Sequence, residues 1–138
     1  MSRNNMKGIS ILRRLASIIY DSLLVFAILI IMSIPFYSFN VEGNNILKLT
    51  MQVYFYLVTQ YFFVWFWVNS QGTLGMKTWK IKIICEDGNK ISYKKAVIRF
   101  NSAIFSILIF GLGFLISIFR KDKKCLHDII SKTILVKL

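Results

Sequence analysis

The sequence predicts an all-α integral membrane protein with two transmembrane helices, a third apolar segment and a short β-hairpin on the cytoplasmic side. Three observations carry that prediction. Apolar runs of about bilayer length occupy Leu15–Phe39, Leu49–Val68 and Phe100–Phe119. Of the 18 Lys and Arg residues, 17 fall in the stretches flanking those runs, Met1–Arg14, Asn69–Arg99 and Arg120–Leu138. A hydrophobic fraction of 56% in 138 residues leaves too little polar surface to cover a soluble globule. With no internal repeat and no low-complexity linker, residues 1–138 read as one membrane domain.

The elements follow in order from the positions of the charges. Arg3, Lys7, Arg13 and Arg14 hold the N-terminus on the inner face. The 25-residue run after them exceeds a signal-peptide core and lacks a small-x-small cleavage site, so it is expected to stay uncleaved. Pro35 marks the outer exit of this span. The loop Asn40–Lys48 carries only Glu42 and Lys48 and is expected outside. The second span is crowded with aromatic residues, and Trp65 and Trp67 at its inner end fit an interfacial belt. It returns the chain to an inner segment in which Lys77, Lys80, Lys82, Lys90, Lys94, Lys95 and Arg99 outweigh Glu86 and Asp87. Within the β-rich loop 79–93, Trp79–Cys85 begins with alternation and meets Glu86-Asp87-Gly88-Asn89, a hairpin-turn signal.

The third run admits two topologies. As a straight span it would place Arg120, Lys121, Lys123, Lys124, Lys132 and Lys137 outside, against the positive-inside rule. Gly111-Leu112-Gly113 instead divides it into halves of about 11 residues, each about 16 Å as helix, which suits a re-entrant hairpin. The tail Thr133–Leu138 is also β-rich. If it pairs with the earlier strand, both ends of the run lie on one face, because open sheet edges are excluded from hydrocarbon. The C-terminus is accordingly expected to be cytoplasmic.

Composition narrows the function classes. A net charge of +12 would suggest nucleic acid in a soluble chain, but here the charges flank apolar spans and suit anionic inner-leaflet lipids, so no nucleic-acid partner is expected. Cys85 and Cys125 stand 40 residues apart outside any CxxC, and read as thiols on a reducing face. His127 is the single His and has no second ligand cluster, so a hydrogen-bonded structural role is expected and no metal site. Gly72-Thr73-Leu74-Gly75-Met76-Lys77 lacks P-loop spacing and reads as a packed inner turn. No nucleophile–base pair or nucleotide fingerprint occurs, so the chain is expected to be no enzyme, without catalytic residues or cofactor.

Asp21 is the residue whose position asks for an explanation. It lies about 10 Å into the first span, where an ionised carboxylate costs about 2.5–3.5 kcal/mol on insertion scales, and so it must be paired, protonated or hydrated. Arg14, seven residues earlier, shares nearly the same helix face about 10.5 Å lower. Arg99 enters from the same side, and Asp128 lies just beyond the membrane there. Arg14, Asp21, Arg99 and Asp128 thus form one candidate charge network or ion-binding site. It is either a clamp on three segments or the seat of a proton or cation in transit.

Taken together, these residues resemble the RDD family of membrane proteins. Arg14-Leu15-Ala16-Ser17-Ile18-Ile19-Tyr20-Asp21 resembles the family's first-helix motif. Gly72 to Lys77 is similar to its Gly-Thr-Gly-Lys loop, with Met76 spreading the pattern by one residue. Asp87-Gly88, Arg99, Leu126-His127-Asp128, Thr133 and Val136 resemble its later landmarks. The resemblance implies that Arg14, Asp21 and Asp128 are the Arg and two Asp of the family name, and that transport, including cation/proton antiport, is in scope. One reading is therefore a transport component for a cation, proton or small solute. The other is a non-transporting accessory or regulatory subunit that binds another membrane protein. Two spans and a hairpin enclose no wide pathway alone, so a homo-oligomer or a membrane-protein partner is expected.

Overall fold

The computed structural model describes residues 9–39, 42–109, 112–121 and 124–137. Arg3, Lys7, Gly111, Lys123 and part of the loop Asn40–Lys48 lie outside the described residues. Most of the chain is helical, with one small sheet.

The first helix, α1 (Ile11–Tyr37), has 27 residues and is therefore about 40 Å long. Pro35 sits in its last turns, where the chain is about to leave the helix. Its buried residues, Arg14, Ser17 and Asp21, form one polar stripe at i, i+3 and i+7, while Leu12, Ile19, Leu23, Phe26, Ile30 and Ile34 are each more than half exposed. Such a helix is inside out for water, and its apolar surface requires an apolar solvent. By length and composition α1 can cross a bilayer, and the protein is membrane-associated.

The second helix, α2 (Asn45–Ser70), is almost as long. Asn44 caps it by accepting the N–H groups of Ile46 and Leu47 at 3.0 and 3.3 Å. It ends at Gln71, in the left-handed region at φ 55°. Gln52, Tyr54, Tyr56, Gln60, Tyr61 and Asn69 lower its apolarity, so by length and composition α1 is the clear candidate span among the described helices. Its aromatic rings serve packing as much as an interface. Phe63 meets Trp67 at 5.5 Å and Phe100 at 5.7 Å. Trp65 is partly exposed, as a belt residue would be, whereas Trp67 is buried in the core and corrects that expectation.

A short helix, α3 (Leu74–Thr78), follows at once, capped by the Thr73 hydroxyl on Met76 N–H. Strand β1 (Ile81–Cys85) comes next, and the expected turn forms after it, with Gly88 at φ 80° and Cys85 N–H donating to the Asn89 carbonyl at 2.9 Å. No local hairpin results. Ser92 caps a new helix, α4 (Tyr93–Leu108), which takes the residues a returning strand would need. The partner of β1 is instead β2 (Thr133–Lys137), paired antiparallel from Ile81↔Lys137 to Cys85↔Thr133.

Between the two strands the third apolar run is divided. Helix α4 ends at Leu108, with Ile109 N–H donating to the Phe105 carbonyl, and α5 (Leu112–Phe119) begins four residues later. At 16 and 8 residues, about 24 and 12 Å, each is shorter than a span. A last short helix, α6 (Leu126–Ile130), leads into β2. The apolar core lies at this end of the molecule, where Ile81, Ile83 and Leu135 of the sheet pack with Trp67, Ala96 and Phe100.

Candidate functional site

The four predicted site residues do not form one network. Arg14, Arg99 and Asp128 converge, and Asp21 stands apart with partners of its own.

Asp128 is fully buried on α6. Its Oδ1 accepts from Arg99 Nη1 at 2.5 Å, and its Oδ2 is 2.8 Å from Arg14 Nη1 and accepts the Cys125 N–H at 3.0 Å. One carboxylate thus ties the start of α1 to α4 through two guanidiniums that are themselves 5% and 1% exposed. Arg99 Nη1 also donates to Thr133 Oγ1 at 2.6 Å, and its guanidinium lies 5.4 Å from the Trp67 ring centre, within cation–π reach. Strand β2 supplies Thr133 at its first residue, so sheet pairing is what completes the Arg99 shell. Burial opposes the charge of Asp128, yet Arg99 and Arg14 outweigh it and hold the carboxyl below its ordinary range. His127, beside it, is pushed down to about 3, first by burial and then by the Arg99 charge, so it is neutral at physiological pH.

Asp21 is 3% exposed and faces the loop after α2. Its Oδ2 accepts the Thr73 hydroxyl, and its Oδ1 accepts Gly75 N–H at 2.9 Å. The fit depends on glycine. A Cβ at Gly75 would lie 2.5 Å from the Ser17 carbonyl oxygen and 2.9 Å from Asp21 Cγ. The Gly-Thr-Leu-Gly turn therefore receives a carboxyl group, and that carboxyl is the protein's own. Among the described residues Asp21 has no ion pair, and two donors reach a carboxyl with about four lone-pair sites.

Cys125, His127 and Asp128 bring a sulfur, an imidazole nitrogen and a carboxylate oxygen within 4.8 Å of one another. Two guanidiniums occupy the carboxylate, and their positive charge disfavours a cation there. The donor set thus fits a metal poorly. Cys85 and Cys125 are not joined in a disulfide. The sequence reading overlooked Thr73 and Gly75 as partners of Asp21, and Cys125 and Thr133 as partners of the two Arg residues. The signal available was the excess of two Arg over one remaining Asp once Asp21 is taken elsewhere.

Comparison with known proteins gives consistent results. A stretch of 65 residues is 42% identical to the "Uncharacterized protein YxaI" of Bacillus subtilis (strain 168), covering 47% of this chain and 42% of that protein. The matched part is thus less than half of the relative's length. No solved structure matches. The profile described as "RDD family" matches residues 9–132, a range that holds Arg14, Asp21, Gly75, Arg99 and Asp128 and every helix from α1 to α6. The chain belongs to the RDD family.

Proposed function

We propose that this protein is a multi-pass transport component of the cell membrane that handles a proton, a cation or another small solute through the Asp21 carboxylate. In this reading α1 and α2 cross the bilayer, α4 and α5 form a re-entrant hairpin, and both termini are cytoplasmic. The antiparallel pairing of β1 with β2 supports it, since it brings together the two ends of the segment that holds the third apolar run. The basic residues then face anionic inner-leaflet lipids. The chain is no enzyme in this reading.

The observation that carries the proposal is the contrast between the two buried carboxylates. Asp128 is neutralised twice over by Arg and serves as a clamp. Asp21 is held by a hydroxyl and one N–H, keeps lone pairs available to a proton or cation, and sits within a membrane-length helix. The apolar faces of α1 and α2 stay uncovered in one copy, so a pathway would be completed by a homo-oligomer. The same exposed faces favour the second reading, an accessory subunit docked on another membrane protein.

Cation-driven proton flux in liposomes separates the two. The purified protein is compared with Asp21→Asn, which keeps a carbonyl for Gly75 N–H or Thr73 and removes the charge. Flux that disappears in a folded variant is the expected result. No flux under sodium, potassium or lithium gradients with the parent protein would overturn the cation/proton reading and favour the accessory one.

A further inference from the structure

The buried cluster around Asp128 has an unbalanced charge. Arg14 and Arg99 are both almost wholly buried, and among the described residues the acid they contact is Asp128 alone. His127, pushed down to about 3, adds no charge at neutral pH. The other described acids on this side are engaged elsewhere: Asp21 by Thr73 and Gly75, Glu86 by Lys124 at 2.7 Å, and Asp87 by Lys95 at 3.9 Å. Two cations against one anion in a site closed to water is strongly unfavourable. The hydrogen bonding shows the same deficit, since the Nε atoms of both Arg14 and Arg99 are buried without an acceptor.

Among the described residues in contact with the two guanidiniums, one further group can supply negative charge. Cys125 Sγ is fully buried and lies 2.7 Å from Arg14 Nη1, which donates to it. A neutral thiol is a weak acceptor, whereas a thiolate beside a guanidinium accepts a charge-assisted bond. We propose that Cys125 is a thiolate, the second anion of a cluster in which Arg99, Asp128, Arg14 and Cys125 alternate in sign. Cys85 is placed differently: its Sγ donates to the Lys90 carbonyl at 3.6 Å, and the cation near it, Lys95 Nζ at 3.4 Å, is partly exposed and also faces Asp87. The clamp therefore holds a masked nucleophile, which soft electrophiles reach only when α1 and α6 separate.

The infrared S–H stretching band tests this without requiring access to the buried site. The full chain is measured in detergent at neutral pH as Cys125→Ala and as Cys85→Ala. Cys125→Ala is expected to keep the band, from Cys85. Cys85→Ala, whose sole sulfhydryl is Cys125, is expected to show none. Adding Arg14→Gln to Cys85→Ala should make the band appear, and Arg14→Lys should leave it absent. An S–H band in Cys85→Ala as strong as the one in Cys125→Ala would overturn the proposal. That spectrum decides even if the Arg14 variants fail to fold.

Discussion

Gly75→Ala should be among the most damaging single substitutions in this chain, although it adds one methyl group at a short surface helix. The added Cβ would meet the Ser17 carbonyl oxygen at 2.5 Å and Asp21 Cγ at 2.9 Å. The Asp21 side chain can swing aside, but the Ser17 carbonyl is α1 backbone and cannot move without bending the helix. Overpacking of this kind costs about 1–3 kcal/mol. Moving α3 away from α1 also breaks the bond from Gly75 N–H to Asp21 and leaves a buried acceptor short of a donor, at a cost of about 1–3 kcal/mol. The sum is about 2–6 kcal/mol. Gly88→Ala is the control: nothing lies within 4 Å of its Cβ, and its left-handed φ of 80° costs about 1–2 kcal/mol for a residue with a side chain. Both variants are compared by denaturant unfolding in mixed micelles, followed by Trp fluorescence. If Gly75→Ala proves no more destabilising than Gly88→Ala, the close packing of α3 on Asp21 does not exist in solution.

Two further predictions concern acid stability and topology. His127 has a folded-state pKa of about 3, below its ordinary 6.5, so as pH falls through that window only the unfolded chain takes up a proton. Stability should drop by up to about 1.4 kcal/mol per pH unit, and unfolding curves between pH 6.5 and 4.5 should be flatter for His127→Gln. An unchanged slope would show that His127 is not buried as described. For topology, Asn89→Cys and Lys137→Cys, both at exposed positions flanking the paired strands, are expected to resist a membrane-impermeant maleimide in intact cells and to react in inside-out vesicles. Asn45→Cys at the start of α2 should do the opposite. Labelling of Lys137→Cys from outside would mean that the third run crosses the membrane.

The sequence by itself determined the solvent of this protein, the family and the identity of its unusual charges. Transfer of side chains into hydrocarbon is nearly additive along the chain, so the partition of apolar runs from basic stretches needs no tertiary information. The inverted burial of α1, with Arg14, Ser17 and Asp21 inside and Leu23 and Phe26 outside, agrees with it. The tertiary structure decided which charge meets which. Arg14 and Asp21 share a face of one helix yet are claimed by groups 114 and 54 residues away along the chain, Asp128 and Gly75 respectively. The strand pairing was likewise decided at long range. A sound turn follows Cys85, but Ser92 starts α4 before a local strand can return, and the open edge of β1 is filled by Thr133–Lys137. That pairing carries Thr133 to Arg99. A buried charge accepts whichever partner the chain's closure delivers, and closure depends on contacts between segments that no local pattern encodes.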